Sequence, residues 1–373
     1  MAGSGFTEKL IGDWYRPHKT ALTRALTPLS WLFGAIAFAR RVLYRVGLFR
    51  STSLAVPVVI VGNIAVGGAG KTPLAVALVA ALRARGYRVG IVSRGYGGSA
   101  STARAVTLES TADDVGDEPL LLARTGAPVW VGADRVATAR SLLAAHGDLD
   151  IIVSDDGLQH YALRRDCEIV VVDAQRGFGN GALLPAGPLR EPIARLSSVD
   201  AIVVNGGAAP ENVASSIACI ARIASPASMF AMTLNGDRFV NLVDGATAAP
   251  DAFAAKRVHA IAGIGNPDRF FATLRALGLE PVCHPFADHH RFTVRDLDVA
   301  SGADSIVMTE KDAIKCRAFA DARMWALPVT ARLDAALVDR IVDRIADRLM
   351  ERKHGSETAR NPGVPGNQGS ARL

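Results

Sequence analysis

The stretch Val59–Leu78, VIVGNIAVGGAGKTPLAVAL, limits what this 373-residue chain can fold into more than any other feature. A run of β-branched residues ends in a Gly-rich turn. Lys71, Thr72 and an apolar helical segment with Pro73 in its first turn follow. Successive backbone N–H groups around Gly67–Lys71 can wrap a phosphate, because glycine admits positive φ and close approach. The helix N-terminus adds its partial positive charge. On this reading Ala65, Val66, Gly67, Gly68, Ala69, Gly70, Lys71 and Thr72 form an ATP-binding loop. Lys71 reaches the terminal phosphates, and the Thr72 hydroxyl is a ligand for Mg²⁺. The strict pattern has Gly where this chain has Ala65. A chance Gly-rich turn is the plain alternative, and the flanking strand and helix weigh against it.

The rest of the chain repeats the same grammar. Short apolar runs at 57–61, 89–93, 128–131, 151–154, 169–172 and 201–204 alternate with helical stretches such as 73–85 and 134–145. That alternation predicts α/β architecture with a parallel sheet and crossover helices. The expectation is a P-loop NTPase-type α/β/α sandwich over residues 51–230. The alternation weakens around 225–241, and a second, smaller α/β domain is expected over 231–350. It would hold strands at 258–262 and 305–308, a helix at 267–277 and a closing helix near 333–350. Residues 351–373 read as a disordered tail, polar and rich in Gly and Pro.

Charge is distributed unevenly. The chain carries +6 overall. Residues 1–50 alone hold eight basic residues against two acidic ones, so the body is neutral. A nucleic-acid binder would spread that excess over one face, and no nucleic-acid partner is expected. The arm's most apolar piece, WLFGAIAFA at 31–39, would span about 14 Å as a helix, short of a ~30 Å hydrocarbon core. With Arg40, Arg41, Arg45 and Arg50 beside it, the piece suits an amphipathic helix in a membrane interface. It equally suits a helix packed on the protein's own core. The N-terminus does not read as a secretory signal. Cys167, Cys219, Cys283 and Cys316 are scattered, as free thiols would be, and imply no zinc site.

A phosphate loop calls for an acidic metal partner at the end of a neighbouring strand. The DIIVS run at 150–154 delivers Asp155 and Asp156 as metal candidates, although such a pair also serves as a turn or helix cap. Arg94 in SRGYGG follows another strand and could meet a phosphate or the substrate. Asp117 and Glu118 in GDEP open a helix, where they could act chemically or simply cap it. His289 and His290 in FADHHRF suit a metal site, a base relay or a polar loop.

Taken together, these pieces resemble the tetraacyldisaccharide 4′-kinase family, the lipid A 4′-kinases. The matching segments are GNIAVGGAGKTP at 62–73, SRGYGG at 93–98, GDEP at 116–119 and DDGLQH at 155–160. LLPAGPLREP at 183–192, GIGNPDRF at 263–270, DHHRFT at 288–293 and MTEKDAIK at 308–315 complete the set. The resemblance implies two α/β/α domains joined by a short strand linker. It implies transfer of the γ-phosphoryl of ATP, with Mg²⁺, to the 4′-hydroxyl of tetraacyldisaccharide 1-phosphate. It implies a peripheral or monotopic enzyme at the cytoplasmic face of the bacterial inner membrane, its N-terminal helix on the membrane surface. It also implies Asp117 as the catalytic base, supported by His289. Arg94, Glu118, Arg135, Gln159 and His160 become substrate contacts. A P-loop NTPase acting as a switch or chaperone is the alternative function.

Overall fold

The computed structural model describes residues 2–16, 18–206, 210–225 and 228–360. Three helices begin the chain: α1 (Ala2–Trp14), α2 (Ala21–Ala25) and α3 (Thr27–Arg45). The larger lobe follows with β1 (Val58–Gly62), α4 (Lys71–Ala84), β2 (Val89–Ser93), β3 (Arg104–Ala105), α5 (Ala112–Val115) and α6 (Asp117–Ala123). It continues through β4 (Val129–Val131), α7 (Arg135–Ala145), β5 (Ile151–Asp155), β6 (Cys167–Asp173), β7 (Ala201–Gly206), α8 (Pro210–Ala221) and β8 (Met229–Asn235).

The chain then crosses into the smaller lobe. That lobe contains β9 (Phe239–Asn241), β10 (Thr247–Ala248), β11 (Val258–Ala262), α9 (Pro267–Ala276), β12 (Val282–Pro285), β13 (Ser305–Thr309), α10 (Glu310–Cys316) and β14 (Met324–Leu327). It returns as β15 (Thr330–Leu333) and α11 (Ala335–Arg360).

The two sheets are nine-stranded, in order β15-β8-β7-β6-β1-β5-β2-β4-β3, and six-stranded, in order β10-β9-β14-β13-β11-β12. The centre of each is parallel. Antiparallel pairs occur only at the flanks: β15 on β8 and β3 on β4 in the large sheet, and β9 with β14 and β10 in the small one. The inner strands β1, β2, β5, β6 and β7 are buried along their whole length. Their near-continuous Val/Ile runs are what a parallel sheet covered on both faces requires. Leu74 and Leu78 of α4 pack on one face with Leu337 and Ile341 of α11. Ala139 and Leu142 of α7 cover the other face with Ile220 of α8.

The expected boundary between the lobes needs correction on the return path. Ala331 of β15 pairs with Leu234 of β8, and Leu337, Ile341 and Ile345 enter the large core. The closing helix therefore belongs to the larger lobe, because its apolar stripe is buried beside α4 and not in the smaller core. Two chain crossings join the lobes, at 236–238 and 328–329. They run so close that a Cβ on Gly236 would meet the Pro328 carbonyl oxygen at 2.6 Å. The helix α11 also continues to Arg360, past the start of the expected tail at 351. The remainder of that tail, 361–373, lies outside the described residues.

The arm is neither wholly packed nor wholly free. Trp14 is buried and donates its indole N–H to Pro185 O at 3.0 Å. On α3, Ser30 donates to Leu183 O at 2.7 Å, and Gly34 lies against the Leu183 side chain. Elsewhere on α3, Trp31 (71% exposed), Leu32, Ile36 and Phe38 are exposed to solvent. Among the described residues no helix is long and apolar enough to cross a membrane.

Candidate active site

Strand register sets the first half of the site. Val61 of β1 pairs with Asp155 at the end of β5, so the phosphate loop and the acidic pair leave the sheet side by side. In the loop, Gly67 and Gly70 have φ of 107° and 94°, a region that side chains avoid. Ala65 bridges Leu189, and Val66 N–H donates to Pro188 O at 2.8 Å, which anchors the loop on the 183–192 segment. Gly68, Ala69 and Gly70 complete the turn into α4.

Lys71 opens α4. Its ammonium lies 3.3 Å from Asn63 Oδ1 and 3.5 Å from Asp156. Thr72 donates its hydroxyl to Asp155 Oδ2 at 3.3 Å. Asp155 is fully buried, and burial, with Glu118 and Asp156 nearby, pushes its carboxyl up to about 7. Burial also pushes Asp156 up, but Lys71 and Arg190 outweigh it and hold that carboxyl below the usual range. Asp156 adopts a left-handed φ of 48°, which turns its side chain toward these two cations. Asp155 is thus a buried acid held by the Thr72 hydroxyl and the Asp156 N–H, while Asp156 is already paired with Lys71 and Arg190.

That donor set fits Mg²⁺. The ion takes oxygen ligands and commonly uses one or two carboxylates, completing its shell with water and phosphate oxygens. No cluster of three or more His, Cys, Asp or Glu side chains suited to a metal occurs among the described residues. A site shared with a triphosphate does not need one.

The second half of the site is built across the lobes. The C-terminal ends of β11, β12 and β13 in the smaller lobe face those of the large sheet, where ligands of open α/β sheets bind. The turn after β11 sits directly on the phosphate loop. A Cβ on Gly265 would meet Gly68 N at 2.5 Å, and Arg176 donates to Gly265 O. Arg269 of α9 donates to Asn205 Oδ1 at 2.7 Å, and Asn205 in turn donates to Ala69 O at 2.9 Å. Asp173 receives Asn266 at 3.4 Å and faces Arg269 at 3.6 Å.

On the other side of the cleft, Asp117 at the start of α6 is buried, and its Oδ1 accepts Glu118 N–H at 2.9 Å. That contact ties one carboxylate oxygen to the first turn of α6 without capping the helix, whose N-cap is Gly116. His289 Nδ1 stands 3.3 Å from the same Oδ1. Lys311 and Lys315 of α10 lie 3.9 and 3.7 Å from Oδ2. Burial pushes Asp117 up, while His289, Lys311 and Lys315 together bring it below the ordinary carboxylate range. His289 is held with φ of 58°, its N–H on Gly263 O at 3.2 Å. Tyr96 lies against its ring, with centroids 4.7 Å apart and the planes tilted by 53°. His290 turns away to Asp296 at 3.3 Å, so the histidine pair is split between two jobs.

The remaining candidates cluster beside Asp155. Arg135 is buried, donates to Gly132 O and Asp155 O, and keeps Nε without a partner. Burial lowers its guanidinium to about 10. Burial, with Arg135 and Arg94 alongside, lowers the His160 imidazole to about 4. Arg94 is exposed at the cleft. Gln159 is otherwise engaged: its amide donates to Asn63 O at 3.2 Å and to buried Glu191 at 2.8 Å. It braces the loop that carries Asn63. Sequence reading did not single out Asn63, Arg176, Arg190, Asn205, Arg269, Lys311 or Lys315. Asn63, Arg190, Arg269, Lys311 and Lys315 sit inside segments already flagged by motif, and that was the available signal.

Comparison with known proteins agrees with this geometry. A family model described as tetraacyldisaccharide-1-P 4′-kinase matches residues 22–346. A tetraacyldisaccharide 4′-kinase of Methylobacillus flagellatus is 46% identical over 350 residues, covering 91% of this chain and 96% of that one. One of Aromatoleum aromaticum is 51% identical over 324 residues, 87% of this chain and 94% of the relative. Among solved structures, LpxK from Aquifex aeolicus in complex with ATP superposes with a TM-score of 0.70 at 28% identity, covering 87% and 99% of the two chains.

Proposed function

This chain belongs to the tetraacyldisaccharide-1-P 4′-kinase family, and from that premise we propose how its residues carry out the reaction. The enzyme transfers the γ-phosphoryl of ATP to the 4′-hydroxyl of tetraacyldisaccharide 1-phosphate, a step of lipid A biosynthesis. Phosphoryl transfer asks a protein mainly for positioning and charge neutralisation. The amides of residues 65–70 and the Lys71 ammonium hold the triphosphate. Thr72 and Asp155 would hold Mg²⁺, with Asp156 available beside them; bound there, the ion would neutralise phosphate charge.

Asp117 accepts the proton of the 4′-hydroxyl, and His289 orients it. The observation that carries this assignment is the meeting of these two side chains, from opposite lobes, at 3.3 Å. Glu118, Arg94, Arg135 and His160 line the acceptor side, where cations suit an anionic sugar phosphate. Closure of the smaller lobe over the loop excludes water that would otherwise hydrolyse ATP. The three-layer α/β/α core serves as the rigid base for that closure.

The exposed apolar groups of α3 support a reading in which the enzyme works on its substrate's own phase. Trp31, Leu32, Ile36 and Phe38 are exposed beside Arg40 and Arg41, a composition that enters an anionic membrane interface without spanning it. On this reading the protein is peripheral, at the cytoplasmic face of the bacterial inner membrane.

The test is transfer of label from γ-labelled ATP to tetraacyldisaccharide 1-phosphate in mixed micelles. Mg²⁺-dependent labelled lipid is expected, and Lys71→Ala should abolish it. Steady ATP loss without any acceptor, and no labelled lipid, would favour a switch NTPase instead.

A further inference from the structure

Lys311 occupies a position that the reaction scheme above does not use. It lies on α10 of the smaller lobe, and its side chain is 16% exposed. Its ammonium reaches Glu118 Oε1 at 3.1 Å, His289 Nε2 at 3.4 Å, Asp288 Oδ1 at 3.7 Å and Asp117 Oδ2 at 3.9 Å. Lys315, one turn on, links Asp117 Oδ2 at 3.7 Å to Asp312 at 2.7 Å. Two residues from the larger lobe and two from the smaller one therefore converge on a single cation.

The contact with His289 carries chemical information. An ammonium donates up to three hydrogens and accepts none. When it approaches Nε2 at hydrogen-bond distance, that nitrogen must offer a lone pair, so the ring proton sits on Nδ1. Nδ1 is the atom facing Asp117 Oδ1 at 3.3 Å, within ion-pair range though not aligned as a hydrogen bond in this structure, and it has no other partner among the described residues. The competing acceptor, Asp288 Oδ1, is 3.9 Å from Nε2 and already receives the His289 backbone N–H at 3.1 Å.

We propose that Lys311 is a positioning residue that selects the Nδ1–H tautomer of His289. The imidazole then presents a donor to Asp117, and the proton-accepting pair is complete only while the smaller lobe is seated on α6. This inference rests on the reading of Asp117 as base and His289 as its partner. It assigns His289 the role of orienting donor. The substrate proton comes to rest on the free oxygen of Asp117 and is not relayed through the ring. The remaining charged groups facing Asp117, namely Lys315, Glu118 and Asp288, are held in the same arrangement.

The experiment uses the full-length enzyme with ¹⁵N-labelled histidine, the His289 signals being assigned with His289→Gln. Wild type should show the Nδ1–H pattern. Lys311→Met should lose it, and kcat should fall roughly 10- to 100-fold with the KM for ATP unchanged. Lys311→Arg retains a donor, so it should keep the tautomer and restore much of kcat. An Nε2–H pattern in wild type, or a Lys311→Met protein with wild-type tautomer and kcat, overturns the proposal. Asp117→Asn kinetics separate the two claims: full activity there would remove the base assignment, whatever the state of the His289 ring.

Discussion

At the scale of single residues, the site depends on backbone that few side chains tolerate. Gly70 combines a φ of 94° with a position where a Cβ would collide with the Asn205 amide. Gly70→Ala should cost on the order of 1–3 kcal/mol, read by urea unfolding, and should weaken ATP binding. Wild-type values for both would mean that the Asn205 contact does not shape the loop. His160 provides a pH handle. Its imidazole is pushed down from 6.5 to about 4, chiefly by burial. Between those values the unfolded chain takes up a proton that the folded chain refuses, so acidification through that window destabilises the fold. Above 6.5 the contribution is constant. His160→Gln should therefore lose stability less steeply than wild type between pH 7 and pH 5, by up to roughly 2 kcal/mol. Parallel slopes for the two proteins would contradict the burial account.

At the scale of elements, what could be read from the sequence was whatever is encoded by neighbours in the chain. The phosphate loop, the acidic pair at the end of β5 and the helix start at Asp117 each occupy a few consecutive residues; spacing pointed to the first two, while the base role of Asp117 came from the family resemblance. The flanking strands β8 and β15 escaped, because exposed positions interrupt their apolar pattern and β15 pairs with β8 from about 95 residues further along the chain. The helix α3 was ambiguous for a physical reason. One of its faces packs on Leu183 through Ser30 and Gly34 while another carries large apolar groups to the surface, so both readings described part of it. Replacing Trp31, Ile36 and Phe38 together by Ala removes most of that outward face. Burying a large apolar side chain contributes about 1.5–3 kcal/mol, so cosedimentation with anionic vesicles should fall at least about tenfold. Unchanged cosedimentation would place the membrane contact elsewhere.

At the scale of the whole molecule, two parallel sheets face each other across a polar cleft, and the site exists only where they meet. Many contacts between the lobes are polar: Arg124 with Glu310, Lys311 with Glu118, Arg269 with Asn205, and Arg176 with Gly265. Such an interface is suited to opening and reclosing, as expected between domains of one chain. It was also the part least legible beforehand. Lys311 and Glu118 are 193 positions apart, and no local pattern reports which helix docks on which. The resemblance to a kinase family supplied the pairing of Asp117 with His289, and the geometry supplies the cations around it.

The central claim is that Asp117, completed by the smaller lobe, takes the proton of the acceptor hydroxyl. Its most direct test is Asp117→Asn, assayed by label transfer to tetraacyldisaccharide 1-phosphate alongside a separate measurement of ATP binding. The account predicts a kcat lower by roughly 10²- to 10⁴-fold with ATP affinity nearly unchanged. Undiminished turnover would contradict it and remove Asp117 from the base role.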